Sequence, residues 1–237
     1  MPLRALLCGV LAVVSACGHL LTHRVKPGDT LYSISWQYDE DFRELAKWNH
    51  LKPPYALSPG AVIRLVPPAT SQSRTLLSKG TQEFGSRDSD IDSASSSVVD
   101  AKSAVREPRL FVTSKFVWQW PTRGNVVATE SSGALQAKGA TIIGRFDQSV
   151  VAAAPGRVVY KGNSLKRFGN LVILKHDDEW LSAYAFTNTV VVNEGDEVTG
   201  GAKIATMGRN NNNEPALYFE IRRDGKPVDA VALLRLQ

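Results

Sequence analysis

Histidine and cysteine, the side chains that most often hold a catalytic metal, are scarce and unevenly placed in this sequence. The chain of 237 residues has four histidines and two cysteines, and its C-terminal half contains His176 as the single histidine and no cysteine. A catalytic zinc site normally takes three protein ligands from His, Cys, Asp and Glu. Zinc-dependent hydrolysis in that half would therefore need an unusual set of carboxylates. We interpret His176 and the three acidic residues 177–179 as an exposed hairpin tip and expect no metal there.

The two cysteines lie in an N-terminal segment that is typical of an export signal. Arg4 is followed by an almost purely apolar run over residues 5–16, which is shorter than the roughly 20 residues that span a bilayer. The run ends in Val14-Ser-Ala-Cys17-Gly, which resembles the lipobox of bacterial lipoproteins. The resemblance implies that residues 1–16 are a signal peptide and that Cys17 is lipidated. It also implies an outer-membrane lipoprotein facing the periplasm, with an ordinary secretory signal as the alternative.

The composition and net charge of the chain limit the classes of binding partner that we expect. Hydrophobic residues make up 43% and charged residues 22% of the chain, as in ordinary globular proteins. The net charge of +5 is modest and acidic residues are interspersed throughout, so we expect no nucleic-acid partner. A polyanion such as the cell wall, or an anionic membrane surface, matches this charge better.

Residues 21–67 predict a small α+β domain with the order strand, helix, helix, strand. The first helix is capped by Asp29 or Thr30. Asp41 and Glu44 predict a capping box for the second helix. The apolar residues recur at helical spacing; they are Leu31, Ile34 and Tyr38 in the first helix and Phe42, Leu45 and Ala46 in the second. The strands are 22–25 and 62–65.

Three strings in this domain carry a specific pattern. They are His23-Arg-Val-Lys-Pro-Gly-Asp-Thr-Leu-Tyr-Ser-Ile34, Phe42-x-x-Leu45-x-x-Trp-Asn49 and Leu57-x-Pro-Gly60-x-x-Ile-x-Leu65. Together they resemble a LysM domain over its full length. The resemblance implies that the domain binds peptidoglycan strands, whose N-acetyl sugars need hydrogen-bonding groups and an apolar floor. By position the glycan-binding residues are Gly28, Asp29, Thr30, Ile34, Leu57, Ser58, Pro59 and Gly60.

Residues 68–115 are rich in serine and mixed charge and contain almost no aromatic residues. Such a composition is typical of a disordered linker. A flexible coil of this length spans roughly 35–40 Å. We therefore predict that it separates the LysM-like domain from a second domain over residues 116–237.

The C-terminal zone predicts an antiparallel all-β domain. Short β-rich runs alternate with turns that contain Gly, Asn or Asp, a spacing typical of a sandwich or a partly open barrel. The runs are 158–160, 171–174, 181–186, 190–192, 204–207 and 217–221. Residues 193–204 also resemble part of a biotinyl or lipoyl carrier domain, but the exposed lysine setting that a carrier needs is missing, so we reject that interpretation.

A more specific pattern covers residues 120–234. Its strings are Trp120-Pro-x-x-Gly, Gly156-Arg-Val-Val-Tyr-x-Gly-Asn, Gly169-Asn-Leu-Val-Ile-Leu-Lys-His, Leu181-Ser-Ala-Tyr-Ala and Leu217-Tyr-Phe-Glu-Ile-Arg. They resemble the LytM/lysostaphin-type zinc endopeptidases, which have the duplicated hybrid motif fold. Active members use His-x-Gly-x-Asp, Tyr-x-His and His-x-His-Phe-Glu to hold zinc and activate water. Here the corresponding vestigial positions are Ala137, Thr141, Phe186, Ala216 and Tyr218. We therefore predict a degenerate domain that is not an enzyme and holds neither metal nor cofactor.

The order of lipobox, LysM-like domain and degenerate LytM-like domain resembles the NlpD-type family of division lipoproteins. The resemblance implies a non-catalytic protein that activates a periplasmic N-acetylmuramoyl-L-alanine amidase during septal wall splitting and daughter-cell separation. The emptied groove would bind this partner, with Arg222 at its rim, because aromatic residues and arginine are usual at interface hot spots. The expected groove residues are Lys138, Tyr184, Phe186, Tyr218, Glu220 and Arg222.

Other functions stay open at this level. The protein is a wall-tethering lipoprotein if the β domain has no amidase partner, and a cryptic peptidoglycan endopeptidase if it cleaves the wall by itself. Phe186 and Tyr218 also have a purely structural alternative, in which they fill the space left by zinc as core packing.

Overall fold

A computed structural model describes residues 21–68, 116–128 and 139–235 of the chain. Outside them lie the predicted signal peptide, most of the predicted linker, and three residues with predicted roles, Cys17, Ala137 and Lys138. Within the described ranges, no helix is both long enough and apolar enough to cross a membrane.

The N-terminal domain has the predicted order of elements. Strand β1 (Thr22–Arg24) pairs antiparallel with β2 (Val62–Arg64), and the helices α1 (Leu31–Tyr38) and α2 (Phe42–Trp48) come between them in sequence. The two strands and two helices enclose a small apolar core. Its buried members include Val25, Leu31, Ile34, Phe42, Leu45 and Ile63.

Helix α1 begins at a reciprocal cap. The Thr30 hydroxyl accepts a hydrogen bond from the Ser33 amide at 3.1 Å, and Ser33 Oγ accepts one from the Thr30 amide at 3.0 Å. These bonds satisfy backbone donors that the first turn of a helix leaves without partners. The helix ends at Asp39, which has a left-handed φ of 55°.

Helix α2 begins at Asp41, whose carboxylate accepts a hydrogen bond from the Arg43 amide at 2.7 Å. Glu44 pairs with Lys47 at 3.7 Å instead of bonding back to the cap, so the predicted capping box is wrong. Asn49 ends the helix, and its side chain donates to and accepts from one residue of β2 at 2.9 and 2.7 Å. This side chain therefore joins the end of α2 to the sheet.

In its described residues the C-terminal domain is an antiparallel β fold with one short α-helix and one short 3-10 helix (Lys166–Phe168), which confirms the predicted class. Its strands are β3 (Asn125–Ala128), β4 (Ala140–Ile143), β5 (Ser149–Val151), β6 (Gly156–Gly162), β7 (Asn170–Lys175), β8 (Trp180–Val190), β9 (Glu197–Val198), β10 (Lys203–Met207), β11 (Ala216–Arg223) and β12 (Lys226–Val228). The strand order is β3-β4-β11-β8-β7-β6-β9, while β10 pairs with β5 and β8, and β12 with β11.

The side chains of strand β11 point alternately to the two faces of the sheet. The odd-numbered residues from 217 to 221 are apolar and join a large inner core, which helix α3 (Ala230–Arg235) helps to cover. The even-numbered residues from 218 to 222 point to the other side. We call this side the groove face and define it by Ala183, Ala185 and Phe186 of β8 with Tyr218, Glu220 and Arg222 of β11.

Candidate functional site on strands β8 and β11

The sheet brings together four of the positions that are predicted to be vestigial. Tyr218 lies opposite Thr141 of β4 and Ala185 of β8. Ala216 comes two residues earlier on β11 and so shares a face with Tyr218, while Phe186 directly follows Ala185. None of these side chains is a usual zinc ligand. The positions predicted to correspond to the zinc ligands of LytM-type enzymes therefore carry hydroxyl, methyl and aromatic groups in this chain.

Phe186 reaches the groove face because β8 contains a β-bulge. Asn170 pairs with Thr187 and Leu171 with Ala185, so one step along β7 corresponds to two steps along β8. Phe186 is the extra residue at this bulge, and its φ is +60°. Regular alternation would have directed its ring to the inner core. Instead the ring is half-buried against the apolar residues under the groove face.

Tyr184 is not part of the groove face, so its prediction as a groove residue is wrong. Its side chain is fully buried in the inner core, with its ring centroid 5.2 Å from that of Phe219. Tyr184 Oη accepts a hydrogen bond from the Ala153 amide at 2.8 Å and lies 3.0 Å from Ser182 Oγ. Burial raises the pKa of Tyr184 to about 12. The reason for the error is strand alternation, since its neighbour Ala185 is the residue that faces the groove.

A buried polar network follows the groove face of β11. Tyr218 Oη donates to the Glu220 carboxylate, and Arg222 Nε donates to Glu220 Oε1 at 2.6 Å. Glu220 and Arg222 are 2% and 3% exposed, so the predicted position of Arg222 at an open rim is wrong. Burial, together with the negative charge of Glu220, raises the pKa of Tyr218 above its usual value. The phenol is therefore a hydrogen-bond donor at neutral pH.

The N-terminal domain lies over this network. Arg222 Nη2 donates to Asp39 Oδ1 at 2.6 Å, and the guanidinium carbon lies 3.9 Å from the centroid of the Trp36 ring. Lys226 Nζ donates to the Asp39 backbone carbonyl at 3.0 Å. The end of α1 is thus fixed to β11 and β12 by an ion pair, a cation–π contact and a hydrogen bond.

A second contact between the domains lies at the β11–β12 turn. Arg43 of α2 donates to Asp224 Oδ1 at 2.5 Å. The backbones are so close that a Cβ atom built on Gly225 would lie 2.7 Å from Asp41 Cα. Only a residue without a side chain fits at this point.

Trp36 and Asp39 are functional candidates that the sequence analysis missed. Trp36 lies about 140° around the helix from Leu31 and about 160° from Ile34, which is nearly opposite the predicted apolar stripe. It is nevertheless completely buried and belongs to a cluster that contains residues of both domains. A tryptophan opposite the main apolar stripe was the signal that α1 packs on two sides.

The predicted glycan-binding residues differ in exposure. Ile34 is 1% exposed in the domain core, so its predicted place in a groove wall is wrong. The Asp29 carboxylate accepts hydrogen bonds from His23 Nε2 at 2.7 Å and from the Lys26 amide at 2.9 Å. It therefore stabilises the turn. The exposed members are Gly28, Ser58, Pro59 and Gly60.

A cleft of about 780 Å³ lies between the domains. Its N-terminal wall includes Asp29, Thr30 and Leu57, three of the predicted glycan-binding residues. The facing wall belongs to the C-terminal domain and includes Gly156, Arg157, Val159, Lys175, His176 and Glu194. The volume is within the usual range of small-ligand sites, about 300–1,000 Å³. Part of the predicted glycan site thus faces the second domain.

Residues 176–179 form the predicted hairpin turn between β7 and β8, but His176 is only partly exposed, so its prediction as a fully exposed residue is wrong. Nδ1 lies 2.7 Å from the Pro155 carbonyl oxygen, Nε2 lies 2.8 Å from Ser182 Oγ, and the ring stands edge-on to Trp118. Burial lowers the pKa of His176 to about 4, so the imidazole is neutral at pH 7. Within the described ranges, no three His, Cys, Asp or Glu residues are grouped so as to hold a metal ion.

Both domains match known families. Residues 23–66 match the LysM domain, and residues 135–230 match peptidase family M23. The chain is therefore a LysM-containing protein with an M23-type domain.

Relatives share this combination over most of the chain. It is 34% identical over 256 residues to the murein hydrolase activator NlpD of Escherichia coli strain K12, covering 90% of this chain and 67% of that protein. It is also 34% identical over 229 residues to the lipoprotein NlpD/LppB homolog of Pseudomonas aeruginosa, covering 89% and 75%. The solved structure of the antimicrobial peptidase lysostaphin from Staphylococcus simulans is 21% identical, with a TM-score of 0.44 over 50% of this chain and 52% of that one. The chain belongs to the NlpD-type family of lipoproteins.

Proposed function

We propose that this protein is a non-catalytic activator of a periplasmic N-acetylmuramoyl-L-alanine amidase that acts in septal wall splitting. One observation carries the proposal: Thr141, Phe186, Ala216 and Tyr218, which are predicted to replace the zinc ligands of an M23-type domain, lie close together on the sheet and include no usual zinc ligand. The same chain aligns over 90% of its length with a protein named a murein hydrolase activator. Both findings are consistent with a domain of this fold that binds another protein instead of cleaving peptides.

The groove face has the chemistry of a protein-binding surface. Phe186 and Tyr218 supply aromatic area, and the Glu220–Arg222 pair supplies buried charge that is already ordered by hydrogen bonds. A few residues carry most of the binding energy at a typical interface, and they are enriched in Trp, Tyr and Arg. We infer that the amidase uses this face and that binding shifts it toward an active conformation, because a ligand favours the state that it binds better.

Two attachments would place the activator at the wall. The LysM domain would bind glycan strands, and lipid on Cys17 would hold the protein at the outer membrane facing the periplasm. Replacing Cys17 with serine should abolish labelling by a fatty-acid analogue and release the protein from the membrane fraction. Labelling that survives the substitution would refute the anchor. Combined attachments raise the effective concentration of the activator at the wall.

Release of dye from labelled sacculi tests the activator function. The mature chain is incubated with sacculi alone and with each periplasmic amidase of the host. Release that requires both proteins would support the proposal and identify the partner. Failure to stimulate any amidase would favour a wall tether instead. Release by the mature chain alone, if a chelator stops it, would establish an endopeptidase and refute the proposal.

A matched pair of phenylalanines tests the groove face. Phe186→Ala removes an aromatic side chain from that face, whereas Phe146→Ala removes an exposed one, 49% accessible, that lies outside it. We expect the first substitution to reduce stimulation at least tenfold and the second to leave it unchanged. Equal stimulation by the two variants, both folded by circular dichroism, would show that the partner binds elsewhere.

A further inference from the structure

We propose that the LysM domain is an intramolecular cover for the groove face, so that the full chain must open before a partner protein can bind there. This inference rests on the proposed function, because it names the regulation of the same site. Its basis is that Arg222 is bonded to both Glu220 and Asp39, and therefore belongs at once to the groove face and to the domain interface.

Residues of the covering LysM domain are in direct contact with the groove face. The Trp36 ring stacks on the Arg222 guanidinium, and the Asp39 carboxylate accepts a hydrogen bond from Nη2 of that guanidinium. Tyr218 is 7% exposed and belongs to the same buried cluster as Trp36. A partner that used Arg222 would have to occupy the space of Trp36 and Asp39. Binding of the cover and binding of a partner at Arg222 therefore exclude each other.

The cover is held by contacts that stabilise it without making it permanent. Around the central ion pair, Lys226 bonds the Asp39 carbonyl, and Arg43 pairs with the half-exposed Asp224. Two buried donors of the interface, Trp36 Nε1 and Arg222 Nη1, have no hydrogen-bond partner in the described part of the chain. A buried donor without a partner opposes the closed state. These two donors therefore lower the stability of the closed arrangement and favour its opening by a competing partner.

Helix α1 has the residue pattern that such a cover needs. Leu31 and Ile34 pack into the LysM core, while Trp36 is buried on the opposite side of the helix. A short surface helix normally buries one stripe. Without the C-terminal domain, a large indole would be exposed on the LysM domain. Separation of the domains therefore exposes a tryptophan on one side and the groove face on the other.

The substitution Asp39→Gly tests the cover from the LysM side. Asp39 ends α1 with a φ of 55°, a conformation that glycine adopts readily, so the helix keeps its end while Arg222 loses its interdomain partner. Asp147→Gly is a matched control, because Asp147 has a φ of 64° and is exposed outside the interface. Trp36→Ser is a second opening variant. None of the three changes a groove-face residue.

Two measurements are made on the mature full chain and its variants. Hydrogen exchange of peptides from β11 and α1 reports opening without any partner. Dye release with the cognate amidase reports activation. We expect Asp39→Gly and Trp36→Ser to increase exchange in both segments. They should also lower the protein concentration for half-maximal stimulation about tenfold, because affinity scales with the fraction of competent molecules. Asp147→Gly should change neither quantity.

The outcomes separate this inference from the proposed function. Stimulation that is equal in the parent and both opening variants would refute the cover and leave the activator function intact. Unchanged exchange in the opening variants would also refute the cover. If neither the parent chain nor any variant stimulates dye release by any amidase, the activator function is refuted, and this mode of regulation is refuted with it. Strong stimulation by the opening variants together with weak stimulation by the parent chain would support both the cover and the activator function.

Discussion

The Arg222 guanidinium carbon lies 3.9 Å from the centre of the Trp36 ring, and its Nη2 atom is 2.6 Å from Asp39 Oδ1. An arginine of the M23-type domain thus contacts its own strand on one side and the LysM domain on the other. A buried cation–π contact adds up to about 2 kcal/mol. The stability of the groove face and the position of the LysM domain are therefore linked.

Replacing Arg222 with alanine should strongly destabilise the chain. It would leave Glu220 and Asp39 without their cation, and removing one member of a buried ion pair costs about 3–5 kcal/mol. Arg223→Ala is the control, since that side chain is 39% exposed and its pair with Glu179 contributes at most about 1 kcal/mol. Urea unfolding followed by tryptophan fluorescence measures both. Equal urea midpoints for the two variants would show that the buried polar network on β11 contributes little to the stability of the chain.

Replacing Trp36 with alanine should uncouple the two domains. Its indole is completely buried on the side of α1 away from the LysM core, so both folds should survive its loss. We expect calorimetry to change from one transition to two. Trp48→Ala, at a half-buried tryptophan of α2, should lower LysM stability without separating the transitions. A single transition in the Trp36 variant would contradict coupling through this residue.

Much of the local structure was predictable because it depends on neighbours in sequence. The caps at Thr30 and Asp41 and the helix ends follow from residue types at short spacing. The absence of histidine from the vestigial positions needs no structure at all. These features are set by local hydrogen bonding and by residue identity.

The errors concern faces and long-range contacts. Tyr184 and Phe186 were both expected in the groove, but regular alternation directs Tyr184 to the inner core, and only the bulge in β8 brings Phe186 to the groove face. Arg222 was expected at an open rim because nothing local indicates that a helix more than 180 residues earlier covers it. Burial by a distant segment depends on tertiary packing, and spacing along one strand does not encode it.

The stability of the C-terminal domain should fall in mild acid because of His176. Burial lowers the pKa of His176 from 6.5 to about 4, so the unfolded chain binds this proton more readily than the folded one. The stabilisation is complete above pH 6.5 and is lost as the pH falls toward 4, at most about 3 kcal/mol. Thermal melting between pH 7 and 4 should show a weaker pH dependence in His176→Asn. His50→Asn, an exposed control, should leave the dependence unchanged.

Glycan binding should depend on the apolar wall of the cleft. Leu57 is half-buried beside Thr30 in that wall, so Leu57→Ser should weaken binding to purified sacculi about three- to tenfold, as expected for about 1 kcal/mol of lost apolar contact. Val62→Ser is the matched control, because Val62 is 53% exposed on β2 and does not line the cleft. Co-sedimentation measures both variants. Equal binding would place the glycan site outside the cleft.

A methyl group at Gly225 should separate the domains from the opposite side of the interface. Gly225 has a φ of +72°, and an added Cβ would lie 2.7 Å from Asp41 Cα, so Gly225→Ala combines backbone strain with a backbone clash. Gly195→Ala isolates the strain, because Gly195 has a φ of +94° and no atom within 4 Å of an added Cβ. Both variants should lose about 1 kcal/mol from the left-handed conformation. Only Gly225→Ala should increase hydrogen exchange in α1 and β11, since only there does the added atom force the LysM domain away from the turn. Equal exchange in the two variants would mean that the turn yields to the clash and that the domain contact does not depend on this close approach.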